Sequence, residues 1–294
     1  MKKPIFKGAG IAIVTPFNQD LSINYEKFEK HIDFLIENKA DALVVVGTTG
    51  ESATLSNEEK LELVKVAKTR VKGKIPIIAG SGTNCTKSTI ELSNDFEKIG
   101  VDCLMVVTPY YNKTTQKGLI SHYTKIANAV NTPIMLYNVP SRTAMNMEAN
   151  TVAELAKHEN ITSTKEASGD FSQIAEISER IQNVDNFHIY AGNDDQILAM
   201  KSLGAVGAVS VAGNIVPEVI HNLFTSSNVH NEEDLKLQLN ILELVRAIFS
   251  EVSPSPIKAA LAEIGLCTEY LRPPLYPMEN KEKLIKAMKG LGII

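Results

Sequence analysis

The sequence predicts a closed (β/α)8 barrel followed by a small all-helical appendage, and three observations carry this. Eight short apolar, β-rich segments recur at intervals of roughly 27 to 33 residues, shortening to about 18 before the last. Amphipathic helical patterns lie between them. After about residue 229 the strand-like segments stop and only helical patterns remain. Strands that read as near-continuous apolar runs, alternating with amphipathic helices, belong to a parallel sheet covered on its faces. Eight units favour closure over an open doubly wound sheet, the runner-up. The usual reason to prefer the open sheet is absent: no G-x-G-x-x-G follows the first strand and no G-x-x-x-x-G-K-[ST] occurs.

In chain order the strand segments are residues 11–15, 42–46, 75–79, 103–107, 134–137, 161–165, 188–191 and 206–211. Between the first two, Asn24 caps a helix whose apolar stripe is Phe28, Ile32, Leu35 and Ile36. Ser56 and Glu59 form a capping box ahead of Leu61, Val64 and Val71. In the tail, Asn231 precedes a long apolar helix over 235–249. Pro254-Ser255-Pro256 restarts a helix through Leu261 and Ile264, and Asn280 begins a last one ending near Gly290. The division expected is a catalytic barrel over 1–230 and a helical domain over 231–294.

The 294 residues carry 30 Lys+Arg against 34 Asp+Glu, a net charge of -4. That balance offers no basic footprint for nucleic acid and no polybasic membrane patch, which leaves small molecules and further copies of the chain as partners. Cys85, Cys103 and Cys267 are odd in number and far apart, without C-x-x-C or His-Cys ligand spacing, so neither a disulfide framework nor a zinc site is expected. A reducing cytoplasm fits. Lys2 and Lys3 precede an apolar run at 11–14, but Pro16 interrupts it and no cleavage pattern follows, so no signal peptide is expected. No apolar stretch approaches the roughly 18 to 20 residues of a membrane span. No organic cofactor or divalent-metal motif is present.

Lys165 ends the β-branched segment Ile161-Thr162-Ser163-Thr164. At the inner end of a strand, desolvation disfavours the ammonium form, and a neutral amine attacks a carbonyl to form an imine. The plain alternative is a lysine snorkelling to water. In a barrel the chemistry belongs at the carboxyl ends of the strands. The polar residues found there are Thr15, Thr48, Thr49, Gly80-Ser81-Gly82, Tyr110, Tyr111, Tyr137, Asn138, Lys165, Gly192-Asn193-Asp194 and Ser210. Thr48 and Thr49 also suit a turn cap at Gly47 and Gly50, Tyr137 a core tyrosine, and Arg142 a solvated loop. A fixed guanidinium near a reactive lysine suits a carboxylate substrate. Taken together these residues describe a barrel aldolase or lyase with an imine-forming lysine and a tyrosine acid/base. A second class, Glu51 and Glu166 binding Mg²⁺ for a metal-assisted enolisation, is discounted because only Asp194 and Asp195 offer further oxygen ligands at a strand end.

Four motifs stand in order: Gly47-Thr48-Thr49-Gly50-Glu51, Thr108-Pro109-Tyr110-Tyr111-Asn112, Tyr137-Asn138-Val139-Pro140-Ser141-Arg142-Thr143, and Lys165-Glu166. With them the chain resembles the dihydrodipicolinate synthase family, within the pyruvate-dependent N-acetylneuraminate lyase superfamily. The resemblance runs from about Gly8 to Leu275 and includes Pro254-Ser255-Pro256-Ile257-Lys258 and Leu271-Arg272-Pro273-Pro274. It implies that Lys165 forms an imine with pyruvate and that Tyr137 relays protons during imine formation and cyclisation. It also implies that Thr48 links Tyr137 to Tyr111, the matching tyrosine reaching into a neighbouring subunit's site. Thr49 would bind the pyruvate carboxylate, Arg142 the carboxylate of L-aspartate 4-semialdehyde, and Gly192 and Val209 would line the pocket. The implied assembly is a homotetramer of two tight dimers. The implied reaction is the first committed step toward diaminopimelate and lysine.

Sister activities share the lysine and tyrosine. N-acetylneuraminate lyases typically have Ser-Thr where this chain has Thr48-Thr49, and they, like sugar-acid aldolases, lack an arginine matching Arg142. A non-catalytic ligand-binding barrel is a further alternative, disfavoured by the intact set of Lys165, Tyr137, Thr48 and Tyr111. Ala144 stands where many synthases have glycine. At the family's lysine-feedback site Ser52, Ala53, Asn84 and Tyr110 match. Asn57 and Lys60 stand in place of histidines there, and Ser88 in place of a glutamate that grips the effector's ammonium. Weak or absent inhibition by L-lysine is the expectation.

Overall fold

The computed structural model describes residues 3–225 and 232–294. Eight parallel strands close a barrel in sequence order: β1 (Gly8–Ala12), β2 (Ala42–Val45), β3 (Ile77–Gly80), β4 (Cys103–Val107), β5 (Ile134–Asn138), β6 (Ile161–Glu166), β7 (His188–Ala191) and β8 (Ala205–Ser210). β1 pairs with β8 from Gly8 opposite Gly207 to Ile11 opposite Ser210, which closes the ring. Helices α1 (Tyr25–Glu37), α2 (Asn57–Val71), α3 (Thr86–Ile99) and α4 (Gln116–Ala127) follow the first four strands. After β5 come the short α5 (Pro140–Thr143) and α6 (Ala149–Leu155). α7 (Phe171–Ile181) and α8 (Ile197–Ser202) fill the remaining crossovers, and α9 (Pro217–Thr225) follows β8. Three further helices follow: α10 (Glu232–Ile248), α11 (Ser255–Glu263) and α12 (Glu282–Gly290). The expected boundary at 230 and 231, the cap Asn231, and Lys2 lie outside the described residues. Among the described residues no helix is long and apolar enough to cross a membrane.

Local chemistry starts the first helices where the sequence places them. Asn24 Oδ1 accepts the amide of Lys27 at 2.9 Å. Ser56 and Glu59 close a reciprocal capping box, with Glu59 N donating to Ser56 Oγ at 3.2 Å and Ser56 N to Glu59 Oε2 at 2.9 Å. The first strand begins at Gly8 rather than at residue 11. Gly8 and Gly10 weaken the strand signature, yet the fold needs both. Gly8 has φ +101°, and a Cβ on Gly10 would meet the Phe6 ring at 2.5 Å and the Ala208 carbonyl oxygen at 3.0 Å.

Apolar side chains form two layers, one between sheet and helices and one inside the barrel. Which layer a strand residue enters is a matter of register, and β6 shows why this matters. Ile134 pairs with Ile161, and both belong to the outer layer. The register then slips, so that Met135 pairs with Ser163 and Tyr137 with Lys165. Met135 and Tyr137 point inside the barrel, and direct neighbours in a parallel sheet share a face. Without the extra residue in β6, Glu166 would face the interior and Lys165 the helices.

Candidate active site

The bulge therefore aims Lys165 into the carboxyl end of the barrel, where a cavity of about 190 Å³ opens. Lys165 lines it with Thr48, Thr49, Tyr137, Arg142 and Gly192, and the helical tail adds Phe249 and Ser253. Lys165 is only 5 % exposed, and among the described residues no carboxylate lies within ion-pairing distance of it. Its Nζ instead sits 4.2 Å from the centre of the Tyr137 ring. A buried lysine without an acidic partner is costly to keep and belongs to chemistry more readily than to stability.

Each lining residue owes its place to a local element. Thr48 and Thr49 ride the turn after β2; Thr49 is buried and Thr48 is exposed at the rim. Tyr137 is the fourth residue of β5, and Arg142 extends from α5, exposed and without an ion pair among the described residues. Gly192 follows β7 and donates its amide to the Glu166 carbonyl at 2.8 Å. A Cβ there would meet Ala167 Cβ at 2.7 Å, so only glycine lets these strands approach. Ala144, which ends α5, has φ +54°, a conformation glycine reaches without its steric cost.

On the outer face of the same strands Asn138 Nδ2 donates to Glu166 Oε1 at 3.1 Å and Oε2 at 3.2 Å, and Ser168 N donates to Glu166 Oε1 at 2.8 Å. Burial pushes the Glu166 carboxyl up from its ordinary value, against the pull of these hydrogen bonds. Asp194, also raised by burial, accepts the amides of Val211 at 3.0 Å and Ala212 at 2.8 Å and so ties the end of β7 to that of β8. Glu51 is bound to Lys258 at 2.7 Å. Glu51 and Glu166 are thus each engaged with other protein groups, and among the described residues no three His, Cys, Asp or Glu side chains form a group that could hold a metal.

Two residues named for the site do not line this cavity, which for Tyr111 is what a role in a neighbouring subunit's site implies. Tyr111 is 91 % exposed, has φ +68°, and does not line the cavity. Val209 is fully buried in the layer inside the barrel, while Val211 takes the lining position. The expectation also missed Phe249 and Ser253. No local pattern marks them, because they lie in the turn between α10 and α11, whose docking is set by tertiary packing. A larger cavity, about 630 Å³, shares Thr48, Val139, Arg142 and Ser253 with the first and continues past Ser52, Ala53, Lys60 and Tyr110.

The likeness to known proteins extends over the whole described site. A 4-hydroxy-tetrahydrodipicolinate synthase of Alkaliphilus oremlandii is 46% identical over 99% of this chain and 100% of its own length. The crystal structure of the dihydrodipicolinate synthase from Thermotoga maritima superimposes with a TM-score of 0.96 at 38% identity, covering 99% of this chain and 100% of that one. The Cyanidioschyzon merolae enzyme, solved with lysine bound, gives 0.95 at 38% identity with coverage of 99% and 100%. The profile of the Dihydrodipicolinate synthetase family matches residues 5–289, nearly the full span that builds barrel, cavity and tail, and the chain belongs to that family.

Proposed function

We propose that this chain is a lyase that condenses pyruvate with L-aspartate 4-semialdehyde to 4-hydroxy-tetrahydrodipicolinate, the first committed step of diaminopimelate and lysine biosynthesis, in the cytoplasm. The observation that carries the reading is Lys165, buried at the end of β6 without an acidic partner among the described residues and held over the Tyr137 ring in a cavity that also contains Thr49 and Arg142.

In this reading the Lys165 amine attacks the pyruvate keto carbon, and Tyr137 carries the proton that lets the oxygen leave as water. Thr49 holds the pyruvate carboxylate. Loss of a methyl proton gives an enamine, whose carbon attacks the aldehyde and leaves a hydroxyl. The amino group of the second substrate then attacks the imine carbon, closes the ring and releases Lys165. One water is lost overall. Arg142, at the rim and unpaired among the described residues, offers the fork that a carboxylate takes up. Thr48 and the exposed Tyr111 suit a proton relay completed across two subunits, Tyr111 being supplied by the partner, which supports at least a tight dimer, and the resemblance to the family extends this to a homotetramer of two such dimers.

The sister reading, an N-acetylneuraminate lyase or sugar-acid aldolase with the same imine, is disfavoured by Thr48-Thr49 and by Arg142. The test is pyruvate consumption by the purified protein with L-aspartate 4-semialdehyde, beside a sample given N-acetylmannosamine. Rapid loss with the semialdehyde alone is expected. Loss only with the amino sugar would keep the imine and overturn the substrate. No Lys165 adduct after borohydride reduction with pyruvate would overturn catalysis altogether.

A further inference from the structure

The turn that carries Thr48 and Thr49 is strained at both ends. Val46 has φ +52° and Glu51 φ +56°. A β-branched residue in the left-handed region is a true outlier, and such conformations persist only where the surroundings over-determine them. Part of the restraint is local. Gly50 N and Ser52 N donate to the Gly47 carbonyl at 3.1 and 3.3 Å, Glu51 N to that of Thr48 at 3.1 Å, and Thr15 Oγ1 to that of Gly50 at 2.7 Å.

The rest comes from the far end of the chain. Lys258, on α11, places its Nζ 2.7 Å from Glu51 Oε1, and both side chains are 0% exposed. The same Nζ donates to the Thr15 carbonyl at 3.0 Å and the Tyr270 carbonyl at 2.5 Å and lies 4.4 Å from the centre of the Phe17 ring. The other Glu51 oxygen accepts the amide of Arg272 at 3.2 Å. Arg272 is itself fixed by Glu59, at 2.7 and 2.6 Å, and by the Leu21 and Thr54 carbonyls. Every oxygen and every donor of this cluster points in a set direction.

We infer that Lys258 is a positioning residue of the reaction: through Glu51 it clamps the 47–51 turn so that Thr48 and Thr49 face the Lys165 cavity, although it touches no substrate itself. A fold that needed only stability here would be served as well or better by apolar side chains of the same volume. An ion pair adds direction, and direction is what a strained turn bearing two substrate-facing hydroxyls requires.

This inference rests on the proposed reaction, and its test separates the two. Wild type, Glu51→Gln/Lys258→Met and Glu51→Gln are compared well below their thermal midpoints for kcat, KM for pyruvate, and borohydride trapping of pyruvate on Lys165. The double variant removes both charges and leaves none unpaired. It is expected to fold and to be trapped on Lys165, with kcat lower by about tenfold or more and KM for pyruvate raised, as misplacement of catalytic groups produces. A folded double variant with kcat and KM within about twofold of wild type would show that the pair only stabilises, and would overturn the inference. If the double variant fails to fold, the isosteric Glu51→Gln decides by the same comparison: a kcat drop of about threefold or more supports the clamp and unchanged kinetics overturns it. A wild type that forms no pyruvate adduct would instead sink the proposed reaction, and the clamp with it.

Discussion

The Nζ of Lys165 lies 4.2 Å from the centre of the Tyr137 ring, and the two residues are direct partners in the β5–β6 register. The ring face holds the amine, and the phenol carries a proton that the ring does not need in order to do so. Tyr137→Phe is therefore expected still to reach the Lys165 adduct with pyruvate, but more slowly, while lowering kcat by roughly 10²- to 10⁴-fold, the range of general acid–base assistance. Near-normal turnover in that variant would mean that protons travel another way.

Arg142 is exposed, unpaired among the described residues, and lines both cavities. Removing one charge-assisted contact costs about 1.5 to 3 kcal/mol, or roughly ten- to a hundredfold. Arg142→Ala should raise KM for L-aspartate 4-semialdehyde by about that factor while pyruvate trapping proceeds as in wild type. A variant that lost pyruvate trapping instead would place the arginine on the first substrate.

The larger cavity bears on feedback. Its lining includes Lys60, whose ammonium burial holds below the ordinary lysine value, and one acidic residue, Glu51, whose oxygens are taken by Lys258 and Arg272. Ser88, where an acid would be needed, is exposed on α3. Among the described residues that line the cavity, an amino-acid ammonium meets a cation and no free carboxylate. L-Lysine at about 1 mM, a free energy near 4 kcal/mol, should leave more than half of the turnover. Half-inhibition below that concentration would refute the expectation.

A pH effect follows from His31, which is fully buried on α1. Its Nε2 donates to the Asn214 carbonyl at 3.1 Å and its Nδ1 has no partner among the described residues. Burial pushes its pKa down from 6.5 to about 4. The unfolded chain binds the proton first, so full stability holds above about 6.5 and is lost as pH falls toward 4, by on the order of 3 kcal/mol. Buried Glu51, Glu166 and Asp194, whose pKa values are raised, act with the opposite sign, favouring the fold below their unfolded values. The comparison of wild type with His31→Gln isolates the histidine. The urea midpoint of the variant should fall less steeply between pH 6.5 and 4.5. Equal slopes would show that His31 titrates normally in the fold.

The sequence read well where the cause of structure is local. Asn24 and Ser56 cap helices by bonding to amides three residues on, and Thr48, Tyr137, Arg142 and Lys165 each stand in or just after a strand, so a single architectural rule brought them to one end of the barrel. What stayed hidden is non-local. Thr162-Ser163-Thr164 gives no apolar alternation by which to detect the bulge that turns Lys165 inward. Lys258 sits in the run Ile257-Lys258-Ala259-Ala260-Leu261, which shows that a charge is buried but not that its partner, Glu51, lies 207 residues away. Val209 and Val211 differ only in whether the strand has ended, and boundaries are where periodicity says least.

Tyr111 supplies the sharpest test of assembly. Its side chain is exposed and lies outside its own chain's cavity, so a relay through Thr48 and Tyr137 needs the tyrosine of a second copy. Tyr111→Phe alone should lower kcat, and Lys165→Ala alone should abolish the adduct. In a mixture allowed to exchange subunits, a hybrid dimer contains one site with an intact Lys165 and an intact tyrosine from its neighbour. Equal mixing with isologous pairing makes roughly half of the dimers hybrid, each with one working site of two, so activity should return to about a quarter of wild type. A relay confined to one chain gives no recovery, because every site then keeps its own defect. Recovery without any exchange of subunits, followed by mass spectrometry of labelled protein, would also exclude the shared site.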